Sequence, residues 1–582
     1  MIGGPGASII PQVDPPSVPL PDWLPIEEAL LLASIVVALY VVYRIDRTSG
    51  TWLERLRSRF LFGVPWGTLT SVAIVLAVYL FIQGGWQDPR SPVTLPFRAW
   101  SYFDPLGVLL SGFSHASYGH IRGNLIGTLA LAPLAEYAFG HFPRRRERTH
   151  SGRLGWLLER PYARAFVVFP GGVVIATVLA GVFSLGPVIG FSSVVYAFAG
   201  FALLFYPIGT IVALTAREAI SATYFAVRVP QQVAVAEPTF STPWFASIAV
   251  QGHALGLFLG VFFALVVINY RGIQPTSALR LFTGALLYAV SQSLWAVYWF
   301  RGGDEYVLFR AIGMTLVFVL ATIIVVAAVA REEPLFPSRA VPNPETLRAG
   351  IVSVSAKQLG MVALLLGAAI VMGPAIPVNL TTADDGDLPG DPIEIRGYEM
   401  TYGEDVPDGM VNVVDIEAFG ETTQVNTSGV IVRNTDRHIW MTDTSASRLA
   451  FDGRSTTRVG GIGWQETVVA ERSGWVAVGD GPTYRVTLRH DGDERTAFTA
   501  DPVTAEPIVA GANVSIETEP DRFVLNVTRE NRSERATLPE HNESVELAEI
   551  VIHNDDDVLY AEHEASETIV RVAEAETYDG RR

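Results

Sequence analysis

Ten apolar runs recur along the first two thirds of the chain, at about 28–45, 66–84, 117–138, 164–186, 191–206, 208–225, 250–269, 279–300, 308–330 and 358–377. A stretch of about 20 apolar residues matches the roughly 30 Å hydrocarbon core of a bilayer, so the pattern predicts ten transmembrane helices. The 208–225 run is the least regular, because Arg217 and Glu218 interrupt it and a mid-membrane charge costs about 2.5–3.5 kcal/mol on insertion scales. Parity supports it nonetheless: residues 192 and 253, which open the runs on either side, share a membrane face only if this segment crosses. Beyond residue 377 the pattern becomes an alternation of apolar and polar positions, as in Val411–Ile416, Thr483–Leu488 and Phe523–Val527. Period two with β-branched residues, broken by Gly, Asn and Asp, predicts an antiparallel β domain built as a sandwich. Met1–Pro25 holds seven prolines, and no Lys or Arg precedes Arg44, which predicts an extended tail rather than a signal peptide.

Composition supports the membrane reading and narrows the chemistry. Of 582 residues, 49% are hydrophobic and the mean hydropathy is positive, which argues for a membrane protein rather than a string of soluble domains, and none is cysteine. Disulfides, thiolate metal sites and cysteine nucleophiles are therefore excluded. The net charge is −17 and Lys357 is the single lysine. Residues 377–582 carry 41 acidic and 17 basic side chains, a net of −24 against +7 for the rest. This acidic bias predicts a halophilic, archaeal type of protein. No basic patch with interleaved aromatics appears, so nucleic acid is not an expected partner.

Charge also predicts orientation. Basic residues crowd the segments after the first run (Arg44 to Arg59), the third (Arg144 to Arg164), the seventh (Arg271, Arg280) and the ninth (Arg331 to Lys357). Alternating crossings put all four on one side. The positive-inside bias makes that side cytoplasmic and both termini extracytoplasmic. The sequons at Asn379, Asn426, Asn513, Asn526, Asn531 and Asn542 all follow the last run, in agreement with an external C-terminal domain.

Polar side chains at membrane depth are expensive, and they mark functional candidates. Ser192 follows Gly190 at a loop-to-helix junction, His253 opens another run, and His120 and Asn124 stand four apart on one helical face. These residue types fill the roles that acyl transfer needs: a hydroxyl nucleophile, an imidazole base that titrates near neutrality, and donors for an oxyanion. Other chemistries lack their residues. His115, His120 and Glu136 are spread over 21 residues with no His-Glu-x-x-His, no pair of aspartates lies within the runs, and Asn554–Asp557 lacks a calcium-loop pattern. No metal and no cofactor is expected.

Gly190-Phe191-Ser192-Ser193 with Tyr196, His253 with Gly256 and Gly260, His120 with Asn124, and Glu136 with Gly140 together resemble, over about 86–269, the rhomboid family of intramembrane serine proteases. Ser193 stands where the family motif has a second glycine. The resemblance implies a polytopic all-α membrane protein with a six-helix core at 66–272. Outside that core lie a tail at 1–25, one extra helix and a basic loop at 26–65, three extra helices at 273–378, and an extracytoplasmic β-rich domain at 379–582. By the same resemblance Ser192 is the nucleophile and His253 the general base and acid. His120 and Asn124 hold the oxyanion, and Gly190, Tyr196, Gly256, Gly260 and His115 support the site. Tyr196 packs on the His253 imidazole, and Trp100 belongs to a membrane-embedded first loop. Expected partners are transmembrane protein substrates and the lipid bilayer; nothing in the sequence names a ligand for the C-terminal domain. The alternative is a catalytically inactive relative that binds membrane clients, favoured by Ser193 alone.

Overall fold

The computed structural model describes residues 25–45, 51–142, 159–231, 238–333 and 354–581, apart from 381, 384–385, 411–416, 419 and 531. The N-terminal tail, the arginines between 144 and 158, the Val411–Ile416 strand and the Asn531 sequon lie outside these residues.

Each of the ten apolar runs carries a helix, with ends set by local chemistry. Pro207 occupies the first helical position of Pro207–Arg228, where its missing N–H is no loss. Ser117 accepts from the His120 N–H to cap Tyr118–Phe139. Ser355 and Gln358 form a capping box, and Gly272, at φ +60°, ends Val250–Arg271 in the left-handed region. Five helices are long and apolar enough to cross a bilayer, as in a membrane protein: Ile26–Ile45, Pro161–Val182, Val250–Arg271, Arg310–Val329 and Ala356–Asn379. Of the ten transmembrane helices expected, these five have that length and composition. Tyr118–Phe139 and Pro207–Arg228 are long but more polar, while Trp66–Ile82, Ser192–Phe205 and Ala278–Ser291 are shorter. The 279–300 run divides because Ser293 takes φ +55° just past the helix end. Its remainder enters a hairpin of Tyr298–Gly302 with Glu305–Leu308.

Ser192–Phe205 is the centre of the helical region. Eleven of its 14 residues are buried, which a helix apolar on every side achieves only when neighbours surround it. At about 21 Å it is too short to span the hydrocarbon core. Ile26–Ile45 is its opposite, apolar with no buried residue, and its only solvent of matching polarity is lipid. Glu136 fastens the far end of the bundle. Its carboxylate accepts from the N–H groups of Gly67 (2.8 Å) and Thr68 (2.7 Å) at the start of Trp66–Ala77, and from the Thr68 hydroxyl (2.7 Å), an anion on a helix N-terminus. Leu61 N–H donates to His141 Nδ1, so Nε2 carries the proton that His141 gives to Glu136 at 2.6 Å. Arg164 and Arg271 hold the closing carbonyls of Tyr118–Phe139. Basic residues thus gather at the end opposite His120, roughly 30 Å along that helix.

The C-terminal region is antiparallel throughout its named strands, as alternation predicts. An eight-stranded sheet is centred on the long strand Trp464–Ala477. Two four-stranded sheets, Ile393–Ser445 and Val503–Thr537, pack beside it. A single sandwich is replaced by two apolar cores. One lies around Tyr398, Met400, Val432 and Leu488, the other around Val514, Leu525, Ile552 and Val572. Leu95 and Trp100, from the loop before Pro105–Ser111, belong to the first core. Its packing therefore crosses the domain boundary placed at residue 379. The hairpin at 298–308 adds a two-pronged ion pair from Arg301 to Glu421 (2.8 and 2.7 Å). The sequons differ in exposure, and Asn379 is closed to modification in the folded chain. It is fully buried, and its amide donates to the Ser184 carbonyl at 2.8 Å. Asn426, Asn513 and Asn542 are exposed.

Trp100→Ala is expected to destabilise the C-terminal region by about 3–5 kcal/mol, the usual range for emptying a core site of an aromatic this large. Limited proteolysis of the purified full chain measures it, through faster cleavage between residues 393 and 500 than in the parent; an unchanged cleavage rate contradicts the shared core.

Candidate active site

Ser192 heads its helix, after a turn that only glycine forms easily. Gly190 has φ +130°, and its N–H donates to the Ser111 carbonyl at 2.9 Å. Helix N-terminal N–H groups lack intrahelical partners, so the serine hydroxyl stands beside backbone donors. His253 lies in the first turn of Val250–Arg271. Its Nε2 is 3.0 Å from Ser192 Oγ, a distance over which a hydroxyl proton passes to an imidazole.

The helix crossing sets that distance. A Cβ at Gly256 would run into the Ser193 carbonyl, one at Gly260 into the Ala197 carbonyl, and one at Gly200 into the Leu257 carbonyl. Three glycines therefore bring two backbones into contact, as small residues do at close helix interfaces. Tyr196, one turn below Ser192, stacks on His253 with centroids 4.2 Å apart and planes 10° apart, as the resemblance implied. Ser193 fits as well: its hydroxyl faces Gly252, where an added Cβ would lie 3.2 Å from Oγ. Gly252 leaves the space that Ser193 fills.

His120 and Asn124 come to the same place. A Cβ at Gly190 would lie 2.7 Å from His120 Nε2 and 3.6 Å from Asn124 Nδ2. Nδ1 of His120 accepts from the Ala116 N–H over 3.5 Å, which leaves Nε2 to donate. Asn124 Nδ2 is buried with no partner among the described residues, and a buried unpaired donor calls for an acceptor that the fold does not supply. His115 stands behind, its ring edge-on to His120 at 5.1 Å. Glu136 lies sixteen residues further along the same helix than His120, roughly 24 Å away. It is committed to Gly67, Thr68 and His141, which removes it from any metal site with His115 and His120. No group of three or more His, Cys, Asp or Glu residues suited to a metal occurs among the described residues.

Several residues that hold the site escaped the sequence reading. Gln83 ties the loop before Pro105–Ser111 to His115, donating to the Val93 and His115 carbonyls (2.8 and 2.9 Å) and accepting from the His115 N–H (2.8 Å). Gln251, two residues before His253, donates to the Phe183 and Val371 carbonyls. An amide inside an apolar run was the available signal in both cases. The β-rich region sits on the same end of the bundle as Ser192. Ala99 N–H bonds to the Val188 carbonyl in the segment leading to Gly190. Trp100, on the next residue, enters the β core. Arg98, beside them, faces Asp443 of the β region. Burial pushes the Asp443 carboxyl above its ordinary range, against the lowering pull of the Thr457 hydrogen bond and the Arg98 charge.

No protein-family model, curated protein or solved structure matches the chain. What the site can do is argued from its geometry.

Gly256→Ala is expected to force the two helices apart and destabilise the fold by about 1–3 kcal/mol or more. Gly171→Ala, whose Cβ meets nothing within 4 Å, is expected to be neutral or stabilising, since glycine is the poorer helix former. Thermal unfolding of the two variants in detergent makes the comparison; equal melting temperatures contradict the crossing as the constraint.

Proposed function

We propose that this protein is a rhomboid-like intramembrane serine endopeptidase that cleaves transmembrane substrates near the outer membrane face. The observation that carries the reading is the 3.0 Å approach of Ser192 Oγ to His253 Nε2, beside the unpaired Asn124 amide. In this reading Trp66–Ile82, Tyr118–Phe139, Pro161–Val182, Ser192–Phe205, Pro207–Arg228 and Val250–Arg271 form the six-helix core. The basic end of the bundle faces the cytoplasm, and the acidic β-rich region faces outside.

Ser192 Oγ attacks the scissile carbonyl as its proton moves to His253 Nε2. The carbonyl oxygen, now anionic, takes hydrogen bonds from His120 Nε2, Asn124 Nδ2 and the N–H groups that open the Ser192 helix. His253 returns the proton to the departing amine, leaving an acyl ester on Ser192. Water, deprotonated by His253, then hydrolyses the ester and frees the serine. The chemistry needs no cofactor. A serine starting partway down the membrane meets a substrate helix where the substrate's own backbone bonds must open first, so helices with weak turns near the outer face are the preferred substrates. Ser193, the feature on which the inactive alternative rests, is accommodated opposite Gly252.

Ser192→Ala is expected to abolish cleavage of a reconstituted transmembrane substrate and labelling by a fluorophosphonate. Asn124→Ala is expected to lower turnover by about 10²–10³ with KM little changed. Substrate cleavage by Ser192→Ala overturns the assignment, and full turnover by both Asn124→Ala and His120→Ala returns those residues to a packing role.

A further inference from the structure

Arg217 interrupts an apolar run, and its position has a use. Its Nη1 donates to Gln292 Oε1 at 3.1 Å, while its aliphatic stem passes Gly127, where a Cβ would lie 3.9 Å from Cδ. Gln292 caps the C-terminus of Ala278–Ser291, with its N–H on the Tyr288 carbonyl at 3.0 Å. The carbonyl of Gln292 accepts from Tyr196 OH at 3.0 Å. Tyr196 is the ring stacked on His253, and Tyr288 meets Tyr196 edge-on at 5.6 Å. A stacked pair can slide in its plane, and the hydroxyl anchor removes that freedom from Tyr196.

We infer that Arg217 and Gln292 are positioning residues for His253, acting through Tyr196. This rests on the proposed Ser192/His253 chemistry. It also gives the helix at 278–291 a task in the site: its C-terminal carbonyl, with the guanidinium beside it, fixes the plane on which the base lies. A cation is well placed there, because unpaired carbonyls make a helix C-terminus the negative end of its dipole. Arg217 thus contributes a hydrogen bond and a charge to one helix end while its side chain stays only partly buried. The neighbouring Glu218 is mostly exposed and 3.8 Å from Arg217 Nε, a weaker partner.

Rates of fluorophosphonate labelling and of substrate turnover test the relay in the full chain in detergent. Arg217→Met and Tyr196→Phe are each expected to slow both by about ten- to a hundredfold, the scale of a misplaced catalytic group, with KM unchanged. Arg217→Lys, which retains a charged donor, is expected to recover most of the rate. The double variant Arg217→Met/Tyr196→Phe is expected to be no slower than the slower single, because both break one chain of contacts. Gln292→Leu carries the same expectation and takes the place of Arg217→Met if that variant does not insert. Wild-type rates in Arg217→Met or Gln292→Leu, multiplicative losses in the double variant, or a change confined to KM overturn the relay. An unlabelled wild type instead overturns the proposed protease chemistry, so the two failures are distinguishable.

Discussion

The site depends on the contact between two helix backbones. Gly200, Gly256 and Gly260 let Ser192–Phe205 and Val250–Arg271 approach until the carbonyls of one lie where side chains of the other would otherwise begin. Lipid offers no hydrophobic drive to press helices together, so this packing has to come from shape. Once the backbones touch, Ser192 and His253, each in the first turn of its helix, fall within hydrogen-bond distance without any loop to place them. Tyr196 then needs only to lie flat on the imidazole.

Around this pair the molecule spends polar groups where an apolar core would have none. Gln83 and Gln251 each tie backbone carbonyls of separate segments at the end of the bundle where Ser192 lies, and Asn379 donates to the Ser184 carbonyl there. At the other end Glu136 and His141 hold backbone N–H groups instead, those of Gly67, Thr68 and Leu61. Buried amides bonded on both sides fix direction as well as distance, and half-satisfied ones are costly. The Asn124 amide nitrogen, beside Ser192 and His253, has no partner among the described residues. The β-rich region takes part in the same frame, since Trp100 anchors its core one residue beyond the Ala99 to Val188 hydrogen bond.

Much of this was legible in the residues. Apolar length located all ten helices, and alternation located the β region. The resemblance placed the glycines after His253 at the site, and the four-residue step from His120 to Asn124 predicted a shared face. Hydropathy alone overcounted membrane-length helices. It does not register where a run breaks, as at Ser293, or that a short helix such as Ser192–Phe205 is covered by protein. The second β core was hidden because strand alternation is the same whichever sheet a strand joins. Arg217 read only as a penalty, because its partner Gln292 lies 75 residues away. Asn379 read as a sequon because three residues cannot reveal burial.

One measurement bears directly on the Ser192/His253 pair. Mass spectrometry of the reconstituted chain, after treatment with a reagent that acylates a serine and then exposes an alkylating carbon, maps which two side chains stand together at the reacting centre. The account predicts one crosslinked peptide pair joining Ser192 to His253. A crosslink through any other serine, or acylation of Ser192 with alkylation of a different residue, would contradict it.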